Sequence, residues 1–347
     1  MRKSRFGVIG VGTWGENHVR TYSQNPRSEI VAISDINEER GKAIGERYGV
    51  RYYKDYRELL KDKTIDAVSV ATPDFLHKEP CIDAAEAGKH ILVEKPLATT
   101  VEDAEAIVKA ARKAGIKLMV DFHNRWNPPF AQAKASLSEK EIGEPVYIFA
   151  RISNTKLSPT AFLKWASKSK VIWFLTAHTC DLARWMFEDE AKEVYAAASS
   201  RVLASRGVDT PDLYASIIRF KNGGIANLES AWILPNTIPG VGWGEWTGLG
   251  IVFEMQIIGT KGAHVLKPFP NQAVQKYTDD RYSWPDTQAT YFIQGRWGGF
   301  AIEAINHFVD CVVDDKAPSV TGEDGLAVTK IICAMERSAL TGRPEMV

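Results

Sequence analysis

The chain has 347 residues, 45% apolar and 25% charged, with 43 basic side chains against 43 acidic ones. That length is more than one hydrophobic core usually organises, so two domains are expected. Zero formal net charge, with no basic run interleaved with aromatics, argues against a nucleic-acid binder or a protein drawn to anionic membranes.

Four widely spaced cysteines (Cys81, Cys180, Cys311, Cys333) form no CxxC pair and no His/Cys cluster at zinc spacing. Buried thiols in a reducing compartment are expected, and no metal. The opening MRKSR followed by FGVIGVG is too short and glycine-rich for a signal peptide or a membrane span. A cytoplasmic location is expected.

The first 125 residues alternate strand and helix. Apolar runs at 5–10, 29–35, 66–72, 90–96 and 117–122 read as parallel strands covered on both faces. Helical stretches separate them, and Gly49, Gly88 and Gly115 stand at helix ends where left-handed caps belong. Thr100 is placed to cap the helix that ends at Gly115, with Asp103 in a capping-box-like position. Repeated βα units predict a doubly wound parallel sheet.

After NRWNPPF the pattern changes. From Glu144 long period-2 strands dominate, among them EPVYIFARIS, KEVYAAASSRV, DLYASIIRF and IANLESAWIL. RFKNGGIAN reads as a hairpin turning on Asn222, Gly223 and Gly224, and FEMQIIGTKGAHVL as a second, turning at Thr260–Gly262. The prediction is an α/β chain. A Rossmann domain fills 1–124, and an α+β domain with a large open, mainly antiparallel sheet fills 125–347. Amphipathic helices FAIEAINHFVDCVV and EDGLAVTKIICAMERSAL close the chain. Helices cover one sheet face, so the other is expected to be buried in a homodimer or homotetramer.

GVIGVGTWGENHVR contains Gly10-x-Gly12-x-x-Gly15. The motif closes a predicted strand, opens a helix, and has Asp35 at the end of the next strand, which is the context a dinucleotide fingerprint requires. Gly10 permits the turn, Gly12 lets a pyrophosphate approach the backbone, and Gly15 allows close helix–strand packing. Thr13 and Trp14 lie within the same turn. A glycine turn that binds no nucleotide is the plainer reading. Asp35 would accept the adenosine ribose hydroxyls and repel a 2′-phosphate, and the next residue is Ile36 rather than an arginine. NAD is therefore favoured over NADP.

ATPDFLHKEPCIDAAEAGKHILVEKPLATT (71–100) closely resembles the glucose–fructose oxidoreductase/inositol 2-dehydrogenase (Gfo/Idh/MocA) family. Its members share T-P-N-x-x-H and A-G-K-H-V-x-x-E-K-P segments. The similarity continues through NRWNP (124–128), IGTKG (258–262) and HFVDCVVDDKAPSVTGEDG (307–325). The resemblance implies a Rossmann domain plus an open α/β domain with a broad antiparallel sheet. It also implies cofactor contacts from Thr72, Pro73, His77, Glu94, Lys95 and Asn124. Asp74 stands where the family often has asparagine, and His77 could equally be a helix N-terminal residue.

Lys95 lies at the carboxyl end of a buried strand, where open α/β sheets place ligands. A surface Glu–Lys pair is the bland reading. The resemblance gives Lys95 a role beside the nicotinamide, holding or relaying a substrate hydroxyl proton. Burial and a positive nicotinamide would both lower its pKa. Arg125 should face the same cleft as a substrate residue, or else form a structural inter-domain pair.

The apolar helical stretch VIWFLTAHTCDLARW (171–185) centres on His178. Alone, that histidine reads as a packed core residue. The family commonly carries D-x-G-x-H-x-x-D here, with its histidine as acid/base. This chain matches at His178 and Asp181 but has Phe174 for the earlier aspartate and Thr176 for the glycine. Without that carboxylate His178 should be a weaker base, near its ordinary pKa of about 6.5 or lower. Asp181 could partly substitute, or pair with Arg184.

The implied catalytic pair is Lys95 and His178, with Arg125 and Trp165 on the substrate. Trp165 belongs to one of two Trp-rich segments suited to stacking on sugar or cyclitol rings, or to core packing. Segment 239–250 could be a lid or an intersubunit arm. The expected function is NAD-dependent oxidation of a secondary alcohol of a sugar, sugar derivative or cyclitol. One alternative is an NAD-dependent glycosidase acting by redox-assisted elimination, which would turn over substrate without accumulating NADH. The other is a non-catalytic cofactor-binding sensor.

Overall fold

Contiguous Val, Ile and Ala runs with few polar interruptions can only be satisfied by strands buried on both faces. A computed structural model describes residues 3–238, 240–241, 249–269, 276–277, 282–283 and 289–347. In it the first third of the chain forms β1 (Ser4–Ile9), α1 (Gly15–Gln24), β2 (Ser28–Ser34), α2 (Glu38–Tyr48), β3 (Arg51–Tyr53) and α3 (Tyr56–Leu60). It continues with β4 (Ala67–Val70), α4 (Lys78–Glu86), β5 (His90–Glu94), α5 (Val101–Ala114) and β6 (Leu118–Asp121). The six strands pair in parallel in the order β3-β2-β1-β4-β5-β6. The order reverses beside β1, and a doubly wound sheet binds its ligand at that switch. Thr100 caps α5 as expected, accepting from the Asp103 N–H at 3.1 Å.

Three-residue β3 is absent from the sequence expectation, because Arg51, Tyr52 and Tyr53 are exposed or half-buried and give no apolar run.

The chain forms two compact units, Met1–His123 with Ala289–Thr329, and Asn124–Gln288 with Lys330–Val347. Residues 289–329, assigned above to the second domain, thus cluster with the Rossmann sheet. The reason is apolar packing: α8 (Phe300–Val313) sets Phe308 edge-on to Phe6 of β1 at 6.2 Å, and Phe6 stacks on Tyr22 of α1 at 4.3 Å.

The second unit opens with α6 (Pro128–Ser138), whose prolines occupy the first turn, where no N–H is needed. It continues with β7 (Pro145–Thr155), α7 (Ala177–Phe187), β8 (Ala191–Ser199), β9 (Leu213–Phe220) and β10 (Ile225–Leu234). The strands Leu249–Gly259, Ala263–Phe269 and Glu345–Met346 complete a mixed, mostly antiparallel sheet of seven. From one edge the order is 345–346, β8, β9, β10, β7, 249–259, 263–269. Only β7 and β10 run parallel to each other. Both hairpins form where the turn residues put them. At the first, Gly223 alone takes positive φ, while Asn222 and Gly224 do not.

The stretch 171–185 is not one regular helix. Residues Ile172–Thr176 form a π-helical turn that leads into α7, so His178 sits in the first turn of α7. The four cysteines form no disulfide, and Cys81, Cys180 and Cys311 are buried. Among the described residues no helix is long and apolar enough to cross a membrane. Most of segment 239–250 lies outside the described residues.

Candidate active site

The nucleotide half begins at the turn between β1 and α1. Gly10 has φ of +85°, and a Cβ there would stand 2.7 Å from the carbonyl oxygen of Ala71. A Cβ on Gly15 would overlap the carbonyl oxygen of Gly10. Gly12 differs, since its added Cβ would meet no protein atom within 4 Å. Packing within the chain therefore does not demand glycine at 12. The Glu16 N–H closes the first turn of α1 onto the Gly12 carbonyl at 2.9 Å. N–H groups at such a helix start are available to an anion. Thr13 and Trp14 complete the turn, and the Trp14 ring tilts over His123 at 5.2 Å.

Asp35 directly follows β2. Its Oδ2 accepts from the Val11 N–H at 3.0 Å and its Oδ1 from the Asn37 N–H at 2.8 Å. Arg40 forks onto the same carboxylate, Nε to Oδ2 at 3.2 Å and Nη2 to Oδ1 at 3.0 Å. These four donors occupy the acceptor sites of the carboxylate. Position 36, next to Asp35, carries Ile36, which is 83% exposed. The guanidinium comes from position 40 instead. The signal was present, because Asn37 caps α2 by accepting from the Arg40 N–H at 3.0 Å, which fixes Arg40 in the first turn.

Thr72 and Pro73 follow β4, and His77 stands just before α4. The buried His77 ring lies between two carbonyl oxygens, that of Pro96 at 2.8 Å from Nδ1 and that of Thr72 at 3.0 Å from Nε2. It ties the loop after β4 to the Glu94–Lys95–Pro96 loop after β5, and burial lowers its pKa. Lys95 is half-buried, and its peptide bond to Pro96 is cis. Burial depresses its ammonium pKa, while the carboxylates of Glu94, Asp74 and Asp121 oppose the shift.

Two residues here escaped the sequence reading, His18 on α1 and Asp121 at the end of β6. His18 Nε2 lies 2.9 Å from Glu94 Oε1 and 3.9 Å from Asp121 Oδ2. Burial moves Glu94 up to about 7 and His18 down to about 4. The three come from separate elements, so no local spacing could have revealed them.

In the second unit the side-chain amide of Asn124 lies 3.1 Å from Nδ1 of His178, and both are buried. Arg125 forks onto Asp181, Nε to Oδ2 at 2.9 Å and Nη2 to Oδ1 at 2.6 Å. This fork lies inside one unit, unlike the inter-domain pair considered above. Arg184 donates to Glu190 through Nε at 3.0 Å. Phe174 sits where the family pattern has aspartate, with its ring 5.9 Å from Trp165 and 5.7 Å from Trp232. Around Trp232 the ends of β7 and β10 carry buried polar atoms with no hydrogen-bond partner among the described residues. They are Trp232 Nε1, Asn154 Nδ2 and Thr155 Oγ1, followed by Ser158 Oγ. Such atoms suit a ligand with many hydroxyls.

Residues 4–122 match the family described as oxidoreductase, NAD-binding Rossmann fold, and residues 130–265 match the GFO/IDH/MocA C-terminal domain. The chain is 29% identical to the uncharacterized oxidoreductase YrbE of Bacillus subtilis (strain 168), over 97% of this chain and 95% of that protein. It is 28% identical to the myo-inositol 2-dehydrogenase of Thermotoga maritima, over 92% of each. Among solved structures, levoglucosan dehydrogenase in complex with NADH superposes with a TM-score of 0.83. That match has 26% identity and covers 100% of this chain and 99% of the other. With an NAD-type fingerprint on the first unit and matching domains along most of its length, the chain belongs to the Gfo/Idh/MocA family of NAD-dependent oxidoreductases.

Proposed function

We propose that this protein is a dehydrogenase acting on a secondary alcohol of a sugar, sugar derivative or cyclitol. The observation that carries the reading is Lys95. It stands at the carboxyl end of a buried parallel strand, and burial depresses its pKa towards the range where an amine takes up and releases a proton. NAD, when bound, accepts the hydride that leaves the carbinol carbon. Lys95 and His178 hold and move the hydroxyl proton, and the Asn124 amide fixes the His178 ring. Gly12 and the start of α1 receive the pyrophosphate, and Asp35 the adenosine ribose. Trp165 and the unpartnered polar atoms near Trp232 bind the ring and hydroxyls of the substrate, while Arg125 secures α7 through Asp181.

The relatives support this substrate class, since two of them are described as acting on myo-inositol and levoglucosan. A screen of sugars and inositols with NAD and NADP, read as formation of reduced cofactor, tests it. Turnover in the wild type should fall at least about 100-fold in Lys95→Ala and in His178→Ala. Near-normal turnover in both variants would remove the assignment.

The outer face of the sheet supports assembly. Tyr195 on β8 and Ile217 on β9 are cross-strand partners, and each is 45% exposed. We expect a second copy of the chain to cover this face, and light scattering showing a monomer at micromolar concentration would rule it out.

A further inference from the structure

Around Glu94 runs a buried polar chain that the proposed chemistry leaves unused. The Tyr22 and Ser69 hydroxyl oxygens are 2.6 Å apart, Ser69 Oγ is 2.9 Å from His18 Nδ1, and His18 Nε2 is 2.9 Å from Glu94 Oε1. Only one proton order satisfies every member. Nε2 faces a carboxylate and must donate, so Nδ1 accepts from Ser69, whose oxygen accepts from Tyr22. That order requires a neutral imidazole, in keeping with the burial that drives His18 down to about 4. His18 therefore gives Glu94 a hydrogen bond and no charge.

Asp121 completes the group. It is fully buried, and neither of its carboxyl oxygens has a hydrogen-bond donor facing it among the described residues. Its nearest nitrogens, His18 Nε2 and His123 Nδ1, lie 3.9 Å and 4.0 Å from Oδ2. One oxygen of Glu94, one of Asp121 and one nitrogen of His18 fall within 4.8 Å of each other. Two carboxylates that close in a dry site repel. One proton held between them removes that repulsion and supplies the donor that Asp121 lacks.

We infer that Glu94 and Asp121 share one proton and act as a single anion facing Lys95, a positioning pair for the proton that this lysine carries. Burial raising both carboxyl groups agrees with this. The other titratable groups in reach are Asp74 after β4, which acts on Lys95, and His123 after β6, which burial keeps neutral. Tyr22 on α1 stays protonated. The pair then presents one unit of negative charge to the ammonium instead of two, with Asp74 acting beside it. A divalent cation on His18, Glu94 and Asp121 is the competing occupant, and the neighbouring ammonium opposes it.

The functional half of this inference rests on the proposed role of Lys95, so the first readout is independent of turnover. Infrared or carbon-13 carboxyl titration of the wild-type protein should show one carboxyl still protonated near neutral pH, and Asp121→Asn should lose it. In the pH–rate profile, Asp121→Asn keeps one negative charge and should leave the acid limb within about half a unit of wild type. Glu94→Gln with Asp121→Asn removes that charge and should move the limb down by about one unit. The inference is overturned by fully ionised carboxylates in the wild type or by stoichiometric divalent metal in the purified protein. It is also overturned if Asp121→Asn alone shifts the limb as far as the double variant does. A shared proton in a chain with no dehydrogenase activity supports the pair and sinks only the reading of Lys95.

Discussion

The amide of Asn124 lies 3.1 Å from Nδ1 of His178, in a chain that has Phe174 where the family pattern has aspartate. An amide can fix a ring without charging it. With Nδ2–H donating to Nδ1, Nε2 carries the proton and serves as an acid. Turned over, Oδ1 accepts from Nδ1–H and leaves Nε2 as the basic nitrogen. A neutral partner thus permits both directions of proton transfer but does not raise basicity.

Asn124→Asp should supply the missing charge. A carboxylate beside the imidazole favours its protonated form, so the pH at which alcohol oxidation loses its base should rise by about one unit. Asn124→Ala should instead lower turnover without that displacement. The pH–rate profile and imidazole NMR titration distinguish the two. An unmoved titration in Asn124→Asp would mean that the amide does not control the ring.

Restoring the family aspartate at 174 should fail for a separate reason. Phe174 lies between the rings of Trp165 and Trp232, and a carboxylate there would lose both aromatic contacts and be partly desolvated. Phe174→Asp is expected to cost about 2 kcal/mol or more, read from the denaturant midpoint. A variant as stable as wild type, with faster turnover, would show that the position is a vacated catalytic site rather than an aromatic support.

Much of this architecture is legible in the sequence, because parallel buried strands write themselves as apolar runs and Gly10–Gly15 sits between a strand and a helix. What escaped depends on long-range contact. FAIEAINHFVDCVV is plainly an amphipathic helix, yet only Phe308 meeting Phe6 assigns it to the first unit. His18, Glu94 and Asp121 are scattered along the chain, as are Asn124 and His178, and no periodicity links them. Arg40 is the exception, since its capped helix start made its place beside Asp35 readable.

If Asp35 receives the adenosine ribose as proposed, cofactor choice turns on that pair. Asp35 is saturated by Val11, Asn37 and Arg40, so ribose hydroxyls can reach it only when Arg40 moves away. Once released, the same guanidinium can meet a 2′-phosphate. Arg40→Ala should therefore tighten NADH binding and weaken NADPH binding, widening the ratio by about tenfold. Fluorescence titration with both cofactors measures it. A ratio unchanged from wild type would leave Arg40 with only a structural role.

The glycines separate binding from folding. Gly12→Ala places a methyl where no protein atom lies, so stability should change by less than about 1 kcal/mol while cofactor affinity collapses. Gly15→Ala drives a methyl into the Gly10 carbonyl and should destabilise the fold itself. Thermal melts with and without NADH separate the two. Equal melting temperatures for both apo variants would contradict this division.

The buried charges also shape stability against pH. His18 and His123 are lowered to about 4 and about 3 from about 6.5, so the unfolded chain binds their protons first. Their contribution is present above about pH 6.5 and is lost as pH falls through the folded values. Glu94, raised to about 7, works in the opposite sense. The folded state keeps a proton that the unfolded chain releases above about 4.5, so its contribution is fullest at low pH and is lost as pH rises through about 7. Asp121 shifts in the same direction as Glu94. The opposing slopes should place the stability maximum between about pH 5 and 6.5. Asp121→Asn removes the carboxyl repulsion, so it should gain on wild type as pH rises from about 6 to 8 in urea denaturation. A constant difference across that range would mean that neither carboxyl titrates there.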